Sequence, residues 1–125
     1  MSAGSDTPSL DDLTAALGER RAHSLAMGGS ERVERQHDKH KLTARERIDL
    51  LFDAGTFVEF GLLAHQHSMT GGVTEPDRTP ADGVITGEGL VDGRRVYCAA
   101  YDFTVMAGSM GMIGEQKVAL SLIHI

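Results

Sequence analysis

Apolar residues early in the chain recur at helical spacing. Leu10, Leu13 and Leu17 lie three and four apart and form one stripe of a helix. Ser9 can cap that helix, Asp11 and Asp12 fall where its dipole favours acids, and Arg20 and Arg21 follow toward its other end. Gly28-Gly29 breaks the pattern. Ser30 is expected to cap a second segment, 31–40, whose only aliphatic residue is Val33. A helix so polar buries little, and should lie over a larger body or a neighbouring subunit. Thr43-Ala44-Arg45-Glu46 spells a capping box, with Ala44, Ile48 and Leu51 as the core face behind it and Leu50 widening that face. Gly55 stands where a left-handed residue is expected after a helix, and 57–60 read as a short strand.

The period then changes. Residues 64–82 are rich in Gly, Thr, Pro and His and read as a long loop. Two strand-like runs, 83–91 and 94–103, flank Asp92-Gly93, a strong hairpin signal. Residues 96–100 are continuously apolar or small, as in a strand covered on both faces. A glycine-rich turn, 107–111, follows, and 112–120 return to a helical pattern. The expected class is α/β: helices, a hairpin, a glycine turn, a helix, with no internal repeat. Residues 1–8 read as a disordered lead-in. The last six, Leu120-Ser121-Leu122-Ile123-His124-Ile125, read like a sequencing adapter translated in frame, so 120–125 are expected to be a non-native tail.

Composition narrows the function classes. The chain has 125 residues, enough for one small domain or part of a larger one. Its net charge of −6 disfavours nucleic acid as a partner. No apolar run approaches bilayer length, and the N-terminus lacks a basic-then-apolar leader, so neither membrane nor secretion is expected. Cys98 is the only cysteine, which excludes an intrachain disulfide and suits a cytoplasmic location.

The most informative candidate for chemistry is Gly108-Ser109-Met110-Gly111, between a strand and a helix. A helix N-terminus presents unpaired amides and a positive dipole end, and glycines let a ligand approach the backbone. That geometry suits a phosphate, a thioester oxygen or an enolate. A plain strand-to-helix turn with glycines for close packing is the commoner reading of so short a signal. It is not a P-loop, since no Gly-Lys-Ser/Thr follows, nor a dinucleotide fingerprint. Cys98, mid-strand, is expected to be a buried, inert thiol. His65 and His67 lack a neighbouring third ligand, so no metal is expected. His37 and His40 should face solvent. Asp102 can serve as an acid or base, or close a turn. Lys39, Lys41, Arg45 and Arg47 can hold a phosphate or form a solvated face.

Two blocks carry a family resemblance. Residues 28–61, GGSERVERQHDKHKLTARERIDLLFDAGTFVEFG, resemble the N-terminal region of the beta (carboxyltransferase) subunits of propionyl-CoA and related acyl-CoA carboxylases. Residues 82–119, opening with DGVITGEGLVDGRRVYCAAYDFTVMAGSMG, resemble the family's next block. One departure is His40, where members commonly carry glycine. The resemblance implies an incomplete crotonase-like α/β fold. Its parts would be N-terminal helices over 1–40, the start of the carboxyltransferase N-terminal domain over 41–119, and the tail. It implies transfer of a carboxyl group from carboxybiotin to the α carbon of a short-chain acyl-CoA such as propionyl-CoA. Biotin is carried by a partner biotin carboxylase/biotin carboxyl carrier subunit, and the full-length protein is a homo-oligomer, a hexamer. The base is the released biotin, so no catalytic side chain and no metal are implied in this chain. Gly108, Ser109, Met110 and Gly111 would line the acyl-CoA, while the oxyanion-hole glycines lie downstream, leaving the fragment inactive alone. Two other readings are a biotin-dependent decarboxylase subunit running the reverse transfer, and a non-catalytic interaction module.

Overall fold

A computed structural model describes residues 7–66, 79–109 and 111–124. Helix α1 runs Leu10–Leu25 and opens on a capping box in which Ser9 accepts from the Asp12 amide and the Asp12 carboxylate accepts back from Ser9. α2 spans Ser30–Asp38 and α3 spans Ala44–Leu51. Strands β1 (Val58–Phe60), β2 (Val84–Val91) and β3 (Arg94–Tyr101) form one antiparallel sheet in that order. α4, Met112–Leu122, closes the described chain, with Ser121 buried in its last turn. Among the described residues no helix is long and apolar enough to cross a membrane. Residues 1–6 of the expected lead-in, and most of the loop expected over 64–82, lie outside the described residues.

The hairpin forms where Asp92-Gly93 predicts it, both residues taking left-handed φ (+49° and +74°). Asp53 holds it from below, its carboxylate accepting from the amides of Asp92 (3.0 Å) and Gly93 (2.9 Å). One sheet face carries Ile85, Gly87, Gly89 and Val91 of β2 beside Ala100, Cys98 and Val96 of β3. α3 covers it: Ala44, Ile48, Phe52 and Ile85 form the buried cluster, with Phe57 and the β3 residues packed around it. Gly87 and Gly89 make room for two rings. A Cβ on Gly89 would sit 2.5 Å from the Phe52 ring, and one on Gly87 would sit 2.6 Å from Phe57. The rings lie 4.9 Å apart, tilted by 43°. α4 packs on the other face.

Four expectations change. Ser30 is the first residue of α2, and Gly29 (φ +91°) is its cap, because Gly28 docks so tightly on Thr104 that the chain must reverse at once. The core face of α3 is Ala44 and Ile48 alone. Leu51 is half exposed and Leu50 largely exposed, and Phe52, just past the helix, takes the inward place. β3 is the sheet's edge and is only partly covered, with Ala99 and Tyr101 exposed; the covered strand is β2. The Leu10, Leu13 and Leu17 stripe faces outward, with Leu10 78% exposed.

Candidate functional site

The glycine turn is built from the end of β3. Asp102 is buried, and its Oδ1 accepts from both the amide (2.9 Å) and the hydroxyl (2.7 Å) of Thr104. The Thr104 hydroxyl in turn accepts from the Gly28 amide at 3.0 Å. Asp102 therefore closes a turn and ties it to the α1–α2 corner, and no acid–base role is needed to explain it. Val105 plugs the interior. Met106, Ala107 and Gly108 then take three successive left-handed conformations, φ +46°, +54° and +76°. Two of the three are not glycine, which stores strain at this turn.

A second left-handed run faces it. Ala81, Asp82 and Gly83 have φ of +52°, +48° and +72°. The second run is clamped to α4. The buried Asp82 Oδ2 accepts from the amide of Gly114, the third residue of α4, at 2.6 Å. A Cβ on Gly111 would lie 2.5 Å from both Asp82 oxygens, so glycine is what lets that carboxylate reach the helix. From one turn further on, Lys117 donates to the carbonyls of Ala81 (2.7 Å) and Val84. Lys117 is only 7% exposed, and its stem lies over Gly61. Burial pushes its ammonium down to about 8, against the opposing pull of Glu59 and Asp82. An acid on the N-terminal amides and a cation on carbonyl oxygens each match their partner's partial charge.

The expectation that the first-turn amides of α4 are open to a ligand therefore meets an occupied position at Gly114. Neither Asp82 nor Lys117 stood out in the sequence. Asp82 sat at the end of an apparent loop. The usable signal was Lys117, the single cation of the 112–122 stretch.

Three cavities join beside the turn. A cleft of about 290 Å³ has Arg32, Arg35, Gln36 and Lys39 on one wall and Phe103 and Met106 on the other. A larger hollow, about 680 Å³, shares Arg32 and Met106 with it and runs past Gly28 and Ser30 to Gln66 and Thr79. A small pocket of about 90 Å³ shares Gln66, Thr79 and Met106 with the hollow and ends at Ser109 and Gly111. They form one trough, with cations at one end and the glycine turn at the other.

The carboxyl transferase domain family matches residues 35–123. The chain belongs to that family. It is 46% identical over 109 residues, 87% of its length, to the propionyl-CoA carboxylase carboxyltransferase subunit of Haloferax mediterranei, and covers 21% of that protein. It is 40% identical over 105 residues, 83% of its length, to the methylmalonyl-CoA decarboxylase alpha subunit of Propionigenium modestum, covering 20% of it. The chain thus spans about a fifth of the length of the curated relatives it matches. Its fold resembles the transcarboxylase 12S crystal structure with methylmalonyl-coenzyme A and methylmalonic acid bound: TM-score 0.81 and 38% identity, covering 94% of this chain and 23% of that one. The architecture is the crotonase-like α/β fold of carboxyltransferases, as the resemblance implied.

Within this carboxyl transferase segment the other sequence candidates separate. Gly108, Ser109 and Gly111 sit at the turn, and Met110 lies outside the described residues. Cys98 packs on the core and burial pushes its thiol up, the state of an unreactive cysteine. Lys39 lines the cleft, whereas Arg45 is spent on a bidentate pair with Glu59 (2.7 and 3.2 Å). Neither Lys41 nor Arg47 lines the cleft. His37 pairs with Glu46 (2.9 Å) instead of facing solvent alone. The Glu46 carboxyl is held below its ordinary range first by the Thr43 amide and then by His37. His65 contacts the carbonyl of Gln66, and His67 lies outside the described residues. Among the described residues no group of three His, Cys, Asp or Glu is placed to hold a metal.

Proposed function

We propose that this chain forms the opening part of a carboxyltransferase that moves a carboxyl group from carboxybiotin to the α carbon of a short-chain acyl-CoA such as propionyl-CoA. The observation that carries the reading is the family match over residues 35–123, on a fold that opens a trough beside the glycine turn. Biotin arrives on a partner carrier subunit, and the assembled protein is a homo-oligomer. Gly108, Ser109, Met110 and Gly111 form one wall of the acyl-CoA site. Asp82 and Lys117 position that wall. The Gly114 amide is already engaged, so amides from the rest of the subunit stabilise the enolate oxygen formed when the α proton leaves. The 125 residues alone then supply scaffold and one wall, without turnover.

A graft tests this. Residues 28–119 replace the matching stretch of a propionyl-CoA carboxylase beta chain, and biotin-dependent carboxylation of propionyl-CoA is measured after assembly is verified. The reading predicts turnover within about tenfold of the parent. An assembled chimera with no turnover contradicts it. The likeness to the P. modestum decarboxylase subunit favours a second reading, transfer in the reverse direction. A graft into that subunit that works where the first fails would select it.

A further inference from the structure

We infer that α2 is a pH-latched strap: the His37–Glu46 contact holds its far end on α3 and tightens when the imidazole takes up a proton. Little else holds this helix. α2 buries no side chain, and only Val33 and Gln36 are even partly covered. A buried apolar face is what usually fixes a helix on its domain, and α2 has almost none. Among the described residues, polar contacts at its two ends take that place. At the start, the Gly28 amide donates to the Thr104 hydroxyl at 3.0 Å, and Arg32 donates to the Thr104 carbonyl at 3.4 Å. At the end, His37 Nε2 meets both Glu46 oxygens, at 2.9 and 3.0 Å. Left-handed residues flank the helix on both sides: Met27 (φ +55°) and Gly29 (+91°) before it, His40 (+56°) after it. These joints interrupt the helical ladder, so α2 is continuous with neither α1 nor α3.

The chemistry of the pair gives the latch its sign. An ionised carboxylate only accepts, so the nitrogen facing Glu46 carries a proton in either charge state of the imidazole. A second proton, on Nδ1, turns a neutral hydrogen bond into a charge-assisted one. Imidazole is the side chain whose ordinary titration falls between about pH 5 and pH 8. Glu46 suits the other half of the pair. Its carboxyl is held low first by the Thr43 amide and then by His37, so it stays ionised while the imidazole titrates. His37 also lies in the last turn of α2, where the helix dipole favours a cation. The other charged groups near it in the chain are Glu34 and Asp38 on α2 and Lys41 just beyond. On α3, Arg47 adjoins Glu46, while Arg45 is committed to Glu59. The latch is therefore firm at low pH and slackens as pH rises through the imidazole range. His37 and Glu46 remain 46% and 40% exposed, so the effect is modest and salt screens it. α2 supplies Arg32, Arg35, Gln36 and Lys39 to one wall of the trough, and the latch sets how firmly that wall stands, whatever the trough holds.

The test is amide hydrogen exchange of the 125-residue protein by NMR from pH 5 to pH 8, each rate divided by its intrinsic value to give a protection factor. The reporters are the Gly28 amide and the amides of α2. The latch predicts about threefold greater protection at pH 5 than at pH 8, and a smaller ratio in high salt. Three variants separate charge from mere contact. His37→Gln keeps a hydrogen-bonding side chain but cannot titrate. Glu46→Gln removes the charge while keeping a side chain that caps α3 from its third position. His37→Arg carries a permanent cation. The two glutamine variants should show pH-independent protection at the parent's pH 8 level. The arginine variant should be pH-independent at the parent's pH 5 level. A control, His65→Gln, removes a histidine from elsewhere and should keep the parent's pH dependence. Circular dichroism confirms that each variant is folded, and His37→Gln, which leaves the α3 cap untouched, decides the matter should Glu46→Gln unfold. Protection in the parent that does not change with pH would overturn the latch. So would a pH dependence that survives in His37→Gln, or an arginine variant no better protected at pH 8 than the parent.

Discussion

His40 shows how one residue can record both a fold and a departure from it. It follows α2 in a left-handed conformation, φ +56°, where only glycine avoids a clash between Cβ and its own backbone. The glycine that the resemblance implies at this position therefore has a physical reason. Replacing His40 by glycine should relieve about 1 kcal/mol of strain, partly offset by the freer unfolded chain. The expected result is a denaturation midpoint equal to or slightly above that of the parent. A loss above about 1 kcal/mol would show that the imidazole makes a stabilising contact. At this scale much was legible. The capping boxes at Ser9 and Thr43 and the turn at Asp92-Gly93 act within a few residues, so their chemistry is written locally. Asp82 and Lys117 were not legible, because their partners lie 32 to 36 residues away.

Between elements, glycine has two opposite meanings. In β2, Gly89 lies beneath the Phe52 ring with no room for a methyl group. Gly89→Ala should destabilise by about 1–3 kcal/mol through overpacking. Gly18, inside α1, meets nothing within 4 Å, and Gly18→Ala should stabilise by up to about 1 kcal/mol. Chemical denaturation of the pair checks both signs, and equal effects would contradict the packing described for β2. The clamp on α4 makes a separate, pH-dependent prediction. Burial lowers the Lys117 ammonium from its ordinary 10.5 to about 8 in the folded chain. Between those values the unfolded chain binds more protons, so this group's contribution to stability rises with pH. Lys117→Met should remove that rise. The difference between parent and variant melting temperatures from pH 7 to 10.5 reads it directly, and a pH-independent difference would contradict a buried, depressed ammonium. The edge position of β3 was hidden for a related reason. Its run of small and apolar residues suits a covered strand, but neighbours are assigned by topology and not by composition.

Over the whole molecule, the polar and apolar patterns divide the labour. The apolar pattern builds one core under α3 and leaves the Leu10, Leu13 and Leu17 stripe outward, available to other parts of a longer assembly. The polar face of α2, which reads in sequence as lying over a larger body or a neighbouring subunit, becomes one bank of a trough that ends at the glycine turn. Whether acyl-CoA occupies that trough is the claim on which the account turns. Amide-resolved NMR titration of the isotope-labelled chain with propionyl-CoA tests it most directly. The account predicts that shifts concentrate in a contiguous band, from 28–39 of the α1–α2 corner and α2 to 103–111 of the turn, with the hairpin tip at Asp92-Gly93 unmoved. Saturable shifts confined to the hairpin or to α1, with none along the trough, would contradict it.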